Sequence, residues 1–216
     1  MKQSSSSQTT NLFLVRHGAT EANEKRPYVL QGRGFDLPLS ASGQQQATAV
    51  AKFLSYFSVK CVYTSPLLRA VKTAQAIAAR HKLEVMRLEE ITECNVGVWE
   101  GMDWGSVKCE YPDAYREFMN NPAENPYVGG ETYADVARRV KPTFDWVLRQ
   151  HMSETIVVVA HNIVNRVYMA GLLGLELSRA KDIRQANACV NLIRHHDSTT
   201  DLVTMNSIFH LDVSNL

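Results

Sequence analysis

Three short stretches of this 216-residue sequence carry side chains suited to phosphate chemistry. Arg16-His17-Gly18 follows one apolar run, Ser65-Pro66 with Arg69 follows a second, and His161-Asn162 follows a third. An arginine fork donates paired hydrogen bonds to phosphoryl oxygens and stays charged at every relevant pH. A histidine attacks phosphorus only as the neutral imidazole, a form that costs little near pH 7. Breaking a phosphate ester also needs a proton for the leaving alkoxide, and a carboxyl group suits that task. Glu93 is the leading candidate, placed after a predicted strand or turn over Leu88 to Thr92 and before an irregular segment. Taken singly, each residue has a plainer reading: a structural histidine beside a strand, a surface helix arginine, a buried hydrogen-bonded histidine. What sets them apart is that all three stretches fall where a strand is predicted to give way to a helix or turn. Ligands of open α/β sheets bind at that edge, where helix N-termini also favour anions.

The elements that must position these residues alternate between strand and helix, which predicts an α/β fold with a mostly parallel sheet. Asn11 to Arg16 reads as a buried first strand, Lys60 to Thr64 as a second, Glu84 to Leu88 as an edge strand and Thr155 to Ala160 as the central one. Ser40 is expected to cap a helix with Ala47, Val50, Ala51, Leu54 and Phe57 on one face. Ser65 and Pro66 are expected to open another, bearing Leu67, Ala70, Val71, Ala74, Ile77 and Ala78. Thr132 with Asp135 forms a capping box before a helix that Pro142 should bend. Asn187 to Arg194 and Thr199 to Phe209 complete the sheet, with a turn at Asp197 to Thr200. The stretch from Glu93 to Gly130 has weak periodicity, three prolines and two of the three tryptophans, and reads as an excursion over the sheet with a short helix near Asp113 to Met119.

Composition narrows the setting. The hydrophobic share is 45%, the charged share 21% and the formal net charge +1, so no global field favours nucleic acid or an acidic membrane surface. No apolar run approaches the roughly 20 residues that span a bilayer. Cys61, Cys94, Cys109 and Cys189 show no metal-ligand spacing and read as reduced thiols of a cytoplasmic protein. Residues 1–10, polar and low in complexity, read as a disordered tail, and residues 11–216 as a single domain with a short cap around 94–128.

The blocks LVRHGATEAN (14–23), QGRGFDLPLSASG (31–43), YTSPLLRAVKTA (63–74), GVWEG (97–101) after Glu93, GGET (129–132), VVVAHN (157–162) and NACVNLI (187–193) resemble, in order, the histidine phosphatase superfamily, also called phosphoglycerate mutase-like. The resemblance covers about residues 11–209. It implies a three-layer α/β sandwich with a mostly parallel central sheet and one antiparallel edge strand. It implies that His17 attacks phosphorus in line while Arg16, Arg69 and His161 hold the non-bridging oxygens. Glu93 would protonate the leaving oxygen and then activate water, and Asn23, Gln31 and Gly32 would add polar contacts to the phosphoryl group. No metal or organic cofactor is implied. Many members carry Ser-His-Gly-Gly where this chain has Ala160-His161-Asn162-Ile163, which implies a bulkier pocket floor or a different backbone path. Asn162 either reaches the phosphoryl group or caps its helix.

The activity implied is phosphomonoester hydrolysis through phosphohistidine on a small phosphorylated metabolite, nearest to the α-ribazole phosphatase and sugar-phosphate phosphatase type. The partner expected is that metabolite alone, without nucleic acid or membrane, in a monomer or homodimer. Trp99 and Trp104 are candidates for an apolar wall, with a core role for Trp99 equally open. A cofactor-dependent phosphoglycerate mutase is the alternative. It is disfavoured because the 94–127 segment is short and carries only Lys108 and Arg116 against Glu100, Asp103, Glu110, Asp113, Glu117 and Glu124. A non-catalytic phospho-ligand binding protein is the second alternative.

Overall fold

In the computed structural model, which describes residues 9–211, a six-stranded sheet runs through the molecule. Its strands are β1 (Thr9–Arg16), β2 (Val59–Thr64), β3 (Val85–Arg87), β4 (Thr155–Ala160), β5 (Val190–His196) and β6 (Thr199–Ser207), in the order β3-β2-β4-β1-β5-β6. The first four are mutually parallel, and β5 and β6 close one side as an antiparallel hairpin. Positive φ at Asp197 fits the predicted turn. The expected antiparallel strand is β5, next to the edge, and β6 returns to the direction of the first four strands. β1 begins at Thr9, so the last two residues assigned to the disordered tail are strand; the first eight lie outside the described residues, as do 212–216.

Period-two alternation explains why the strands are buried on both faces. Leu12, Leu14, Ile156, Val158 and Tyr63 point to one face, packing with Val136, Val140, Phe144, Val164 and Val167. Phe13, Val15, Val157, Val159 and Val62 point to the other, packing with Val50, Leu54, Ala70, Ala74 and Ile77. The helices on the first face are α6 (Tyr133–Gln150) and α7 (Asn162–Leu172), and those on the second are α2 (Ala41–Leu54) and α3 (Leu68–His81). Helix α1 (Glu21–Glu24) is a single turn after β1. Three layers result.

Several local expectations needed adjustment. The helix after β2 begins at Leu68, with Leu67 at its N-cap, so Ser65 and Pro66 lie in the loop and not in the helix. Ser65 is held elsewhere, as described below. The capping box of Thr132 and Asp135 is present, and α6 runs through Pro142 without interruption. Asn162 is the first residue of α7 and its side chain caps nothing; His161 occupies the N-cap position. The stretch from Glu93 to Gly130 holds two helices, not one: α4 (Trp104–Glu110) and α5 (Pro112–Asn120). Trp99 is fully buried there, in edge-on contact with Trp104, Phe118 and Tyr127, so its role is core packing.

Candidate active site

The parallel pairing of β1 with β4 and of β4 with β2 brings three strand ends into line. Arg16 stands opposite Ala160, and the His17 and Ser65 amides donate to the Ala160 and Val159 carbonyls, both at 3.1 Å. Residues far apart in sequence therefore meet at one edge of the sheet, where His17, His161, Ser65 and Arg69 are all buried.

The hydrogen bonds of His17 fix its tautomer. Nδ1 lies 2.7 Å from the Gly18 carbonyl oxygen, which can only accept, so Nδ1 carries the proton. Nε2 is left with its lone pair and faces the Arg69 Nε–H at 3.3 Å. Burial, then the charges of Arg69 and Arg16, push the His17 pKa well below the ordinary 6.5. The ring is therefore an unprotonated base held beside two guanidinium groups.

Arg69 is entirely buried and its three nitrogens are all occupied. Besides His17, it donates to the carbonyls of Phe35 and Gly32, each at 2.9 Å. Arg16 donates to the Gln185 carbonyl at 2.5 Å and keeps its buried Nε without a protein partner. His161 lies with its ring centre 5.1 Å from that of His17, and its Nε2 is 2.7 Å from the Ser65 hydroxyl. Burial first, and Arg69 next, hold His161 well below its ordinary pKa, so the positive charge around His17 comes from the arginines. Its buried Nδ1 has no partner. Glu93 is buried, accepting from the backbone amides of Cys94 (2.9 Å) and Ile163 (3.3 Å).

The remaining expected residues form the rim. Asn23 Oδ1 accepts from the Thr20 amide and from Asn187 Nδ2, both at 3.1 Å. Gln31 Oε1 accepts from the Thr20 hydroxyl at 2.8 Å. Gly32 offers its carbonyl to Arg69, and a Cβ there would stand 2.6 Å from the Cys94 carbonyl oxygen, so no larger residue fits without a shift. Asn162 has a buried Oδ1 without a donor.

A cavity of about 290 Å³ opens on these groups, lined among others by Arg16, His17, Asn23, Gln31, Glu93 and Asn162. Arg69 and His161 are not among its lining residues; they contact His17 through the Arg69 Nε and the His161 ring. Trp104, Tyr28, Leu30 and Val96 supply apolar wall. A larger and more apolar groove of about 660 Å³ runs between α6, α7 and the β5–β6 turn, and contains none of these residues. Catalytic capacity follows the converging polar groups and not the volume.

Several contributors escaped the sequence reading. Glu100 accepts from the amides of Gly32 (2.6 Å), Gly34 (3.0 Å) and Phe35 (3.1 Å), tying down the loop whose carbonyls hold Arg69. Arg139 donates to the carbonyls of Glu90 (2.6 Å) and Thr92 (2.7 Å) and pairs with Glu131 at 3.0 Å, fastening the segment that ends at Glu93. Arg166, Gln185, Tyr127 and Tyr133 line the cavity. Nothing in their local sequence marks them; only the folded chain brings them there. Among the described residues no group of three or more His, Cys, Asp or Glu side chains is arranged to hold a metal ion. The four cysteines are unpaired, and among the described residues no helix is long and apolar enough to cross a membrane.

An unprotonated imidazole between guanidinium groups, at the C-terminal edge of a largely parallel sheet, defines a phosphoryl-transfer enzyme. The chain belongs to the histidine phosphatase superfamily (branch 1), which matches residues 12–208. It is 34% identical over 200 residues to phosphoserine phosphatase 1 of Hydrogenobacter thermophilus, covering 93% of each chain. The phosphoserine phosphatase of Entamoeba histolytica, in complex with 3-phosphoglyceric acid, superposes with a TM-score of 0.82 at 28% identity, covering 94% of this chain and 99% of that one. A putative α-ribazole-5′-phosphate phosphatase of Escherichia coli K-12 matches with a TM-score of 0.82 at 27% identity, covering 92% and 96%. The protein is a phosphatase with the phosphoglycerate mutase-like fold.

Proposed function

We propose that the chain hydrolyses its phosphomonoester through a phosphohistidine at His17 Nε2. The observation that carries this is the Nδ1–H···O=C bond to Gly18, which leaves Nε2 as the unprotonated nitrogen that can attack once the weak Arg69 Nε–H contact shifts to the phosphoryl group. Nε2 displaces the ester oxygen in line, forming an N–P bond as the P–O bond breaks. The Arg16 and Arg69 charges beside it offset the charge spread over the equatorial oxygens. Glu93 gives its proton to the departing alkoxide. It then takes a proton from water as the water oxygen attacks phosphorus, which returns His17 and releases inorganic phosphate. His161 acts by contact with the His17 ring and by its bond to Ser65. Asn23 and Gln31 hold the phosphoryl end from the rim. No step calls on a metal or an organic cofactor.

The cap segment supports hydrolysis over phosphoryl return to the product. Its α4 and α5 carry Lys108 and Arg116, both remote from the cavity lining, and Arg116 is paired with Asp113 on the surface. Neither cation of the cap lines the cavity, which leaves that side of the proposed phosphohistidine open to water.

The test is turnover of 4-nitrophenyl phosphate by the wild type and by His17→Ala, with alkali-quenched, acid-labile phosphate on the protein measured alongside. Loss of both turnover and protein-bound phosphate in the variant is expected. Turnover that persists at a comparable rate would remove His17 from the reaction.

A further inference from the structure

The first residues of α7 place two unsatisfied groups on one side of the cavity. Asn162 and Arg166 are four residues apart, hence on one helix face, and helical side chains lean toward the helix N-terminus. For α7 that is the end facing the cavity, and both residues line it. Arg166 takes part in none of the ion pairs of the described residues, and its buried Nε has no acceptor. The carboxylate nearest in role, Glu93, is already engaged by the Cys94 and Ile163 amides. A half-buried cation without an anion carries a desolvation cost that a ligand anion would offset. Asn162 Oδ1, also buried and without a donor, calls for an N–H or O–H. Arg16 and His17 line the same cavity and, on the proposed mechanism, serve the phosphoryl group, so Arg166 is a second cation available to the ligand. At about 290 Å³ between Trp104, Tyr28, Leu30 and Val96, the space suits a short carbon chain between the two cations.

We propose that Arg166 and Asn162 form an acid-recognising subsite, selecting phosphate esters of small amino or hydroxy acids. Arg166 takes the carboxylate and Asn162 Oδ1 the neighbouring ammonium or hydroxyl. This rests on the reading of His17 as phosphoryl acceptor only in so far as it fixes which cation holds the phosphate. A nucleoside or sugar leaving group offers hydroxyls but no anion for Arg166.

The experiment compares kcat/KM for O-phosphoserine with that for phosphoethanolamine, which lacks only the carboxylate, in the wild type, Arg166→Met and Arg166→Lys. The wild type should prefer phosphoserine by roughly tenfold or more, the scale of one charge-assisted hydrogen bond. Arg166→Met should erase that preference chiefly through KM, and Arg166→Lys should restore part of it. Asn162→Ala should shrink the preference for phosphoserine over 3-phosphooxypropionate, which lacks the amino group. Equal losses on both esters in Arg166→Met, or no wild-type preference, would overturn the subsite. Calorimetric binding of 3-phosphoglycerate and glycerol 1-phosphate in a His17→Ala background reads the same contact without turnover. There Arg166→Met should weaken only the acid, and equal weakening again overturns the proposal. Failure of the phosphohistidine reading would show instead as aryl phosphatase activity surviving His17→Ala.

Discussion

At the scale of single residues, protonation decides what the site can do. The Gly18 carbonyl dictates which His17 nitrogen carries the proton, while burial and two guanidinium groups keep the other, the proposed nucleophile, unprotonated. Loss of activity on the acid side, where it comes from His17, is therefore expected well below pH 6.5. On the proposed mechanism Glu93 serves the leaving group, so Glu93→Gln should slow alkyl phosphates by about 100-fold or more, within the usual range for a general acid. Its effect on 4-nitrophenyl phosphate, whose leaving group needs no proton, should be much smaller. Equal losses in steady-state rates on the two substrate types would deny Glu93 the proton-donor role.

Elements bring these residues within reach and hold them there. The β1–α2 connection is one example: a Cβ on Gly43 would lie 1.9 Å from the Ala19 carbonyl oxygen, so the helix approaches the His17 loop only because residue 43 is glycine. The segment carrying Glu93 depends on α6. Arg139 bonds the Glu90 and Thr92 carbonyls and the Glu131 carboxylate, while Glu131 also accepts from the Asn95 amide at 2.8 Å. Arg139→Ala should therefore reproduce the leaving-group dependence of Glu93→Gln in milder form, lowering kcat for alkyl phosphates about 10-fold. If it shifts only thermal stability and leaves the ratio of alkyl to aryl rates unchanged, Arg139 is structural and does not position the acid. The element boundaries in the sequence were legible where alternation or a cap was strong, as in β4 and at Thr132. They were missed where the chain is irregular. Helix α4 begins at a cap, Asp103, whose carboxylate accepts from the Gly105 and Ser106 amides, but its seven residues are too few to show periodicity.

For the molecule as a whole, the buried histidines link folding to pH. His17 and His161 are neutral when folded, with pKa values below 6.5, whereas the unfolded chain protonates both near 6.5. Below that pH the unfolded state binds more protons, so stability must fall as acidity rises, by up to ~1.4 kcal/mol per pH unit for each histidine. The window lies between pH 6.5 and the folded pKa values. It is separate from the loss attached to Asp135, whose carboxyl is held at about 2 by the Thr132 backbone and hydroxyl and whose contribution fades only below the ordinary carboxylate range. Urea unfolding at pH 7.0 and 5.5 should show the drop, and His161→Asn should flatten it. An unchanged slope in that variant would mean that His161 is protonated in the folded protein.

The order of apolar runs, their period of two or 3.6, and the polar blocks at their ends indicated a mostly parallel α/β fold and made candidates of His17, Arg69, Glu93 and His161, to which the seven-block resemblance gave roles. These are local properties: a strand buried on both faces must be apolar throughout, and a chemistry-bearing side chain must sit where such a strand stops. What only the tertiary structure decided was which partner each side chain meets. The meeting of His17 with Arg69 and His161, the clamps at Glu100 and Arg139, and the unpaired charge of Arg166 depend on contacts across dozens of residues. Such contacts arise from strand register and helix docking, which no short window of sequence contains.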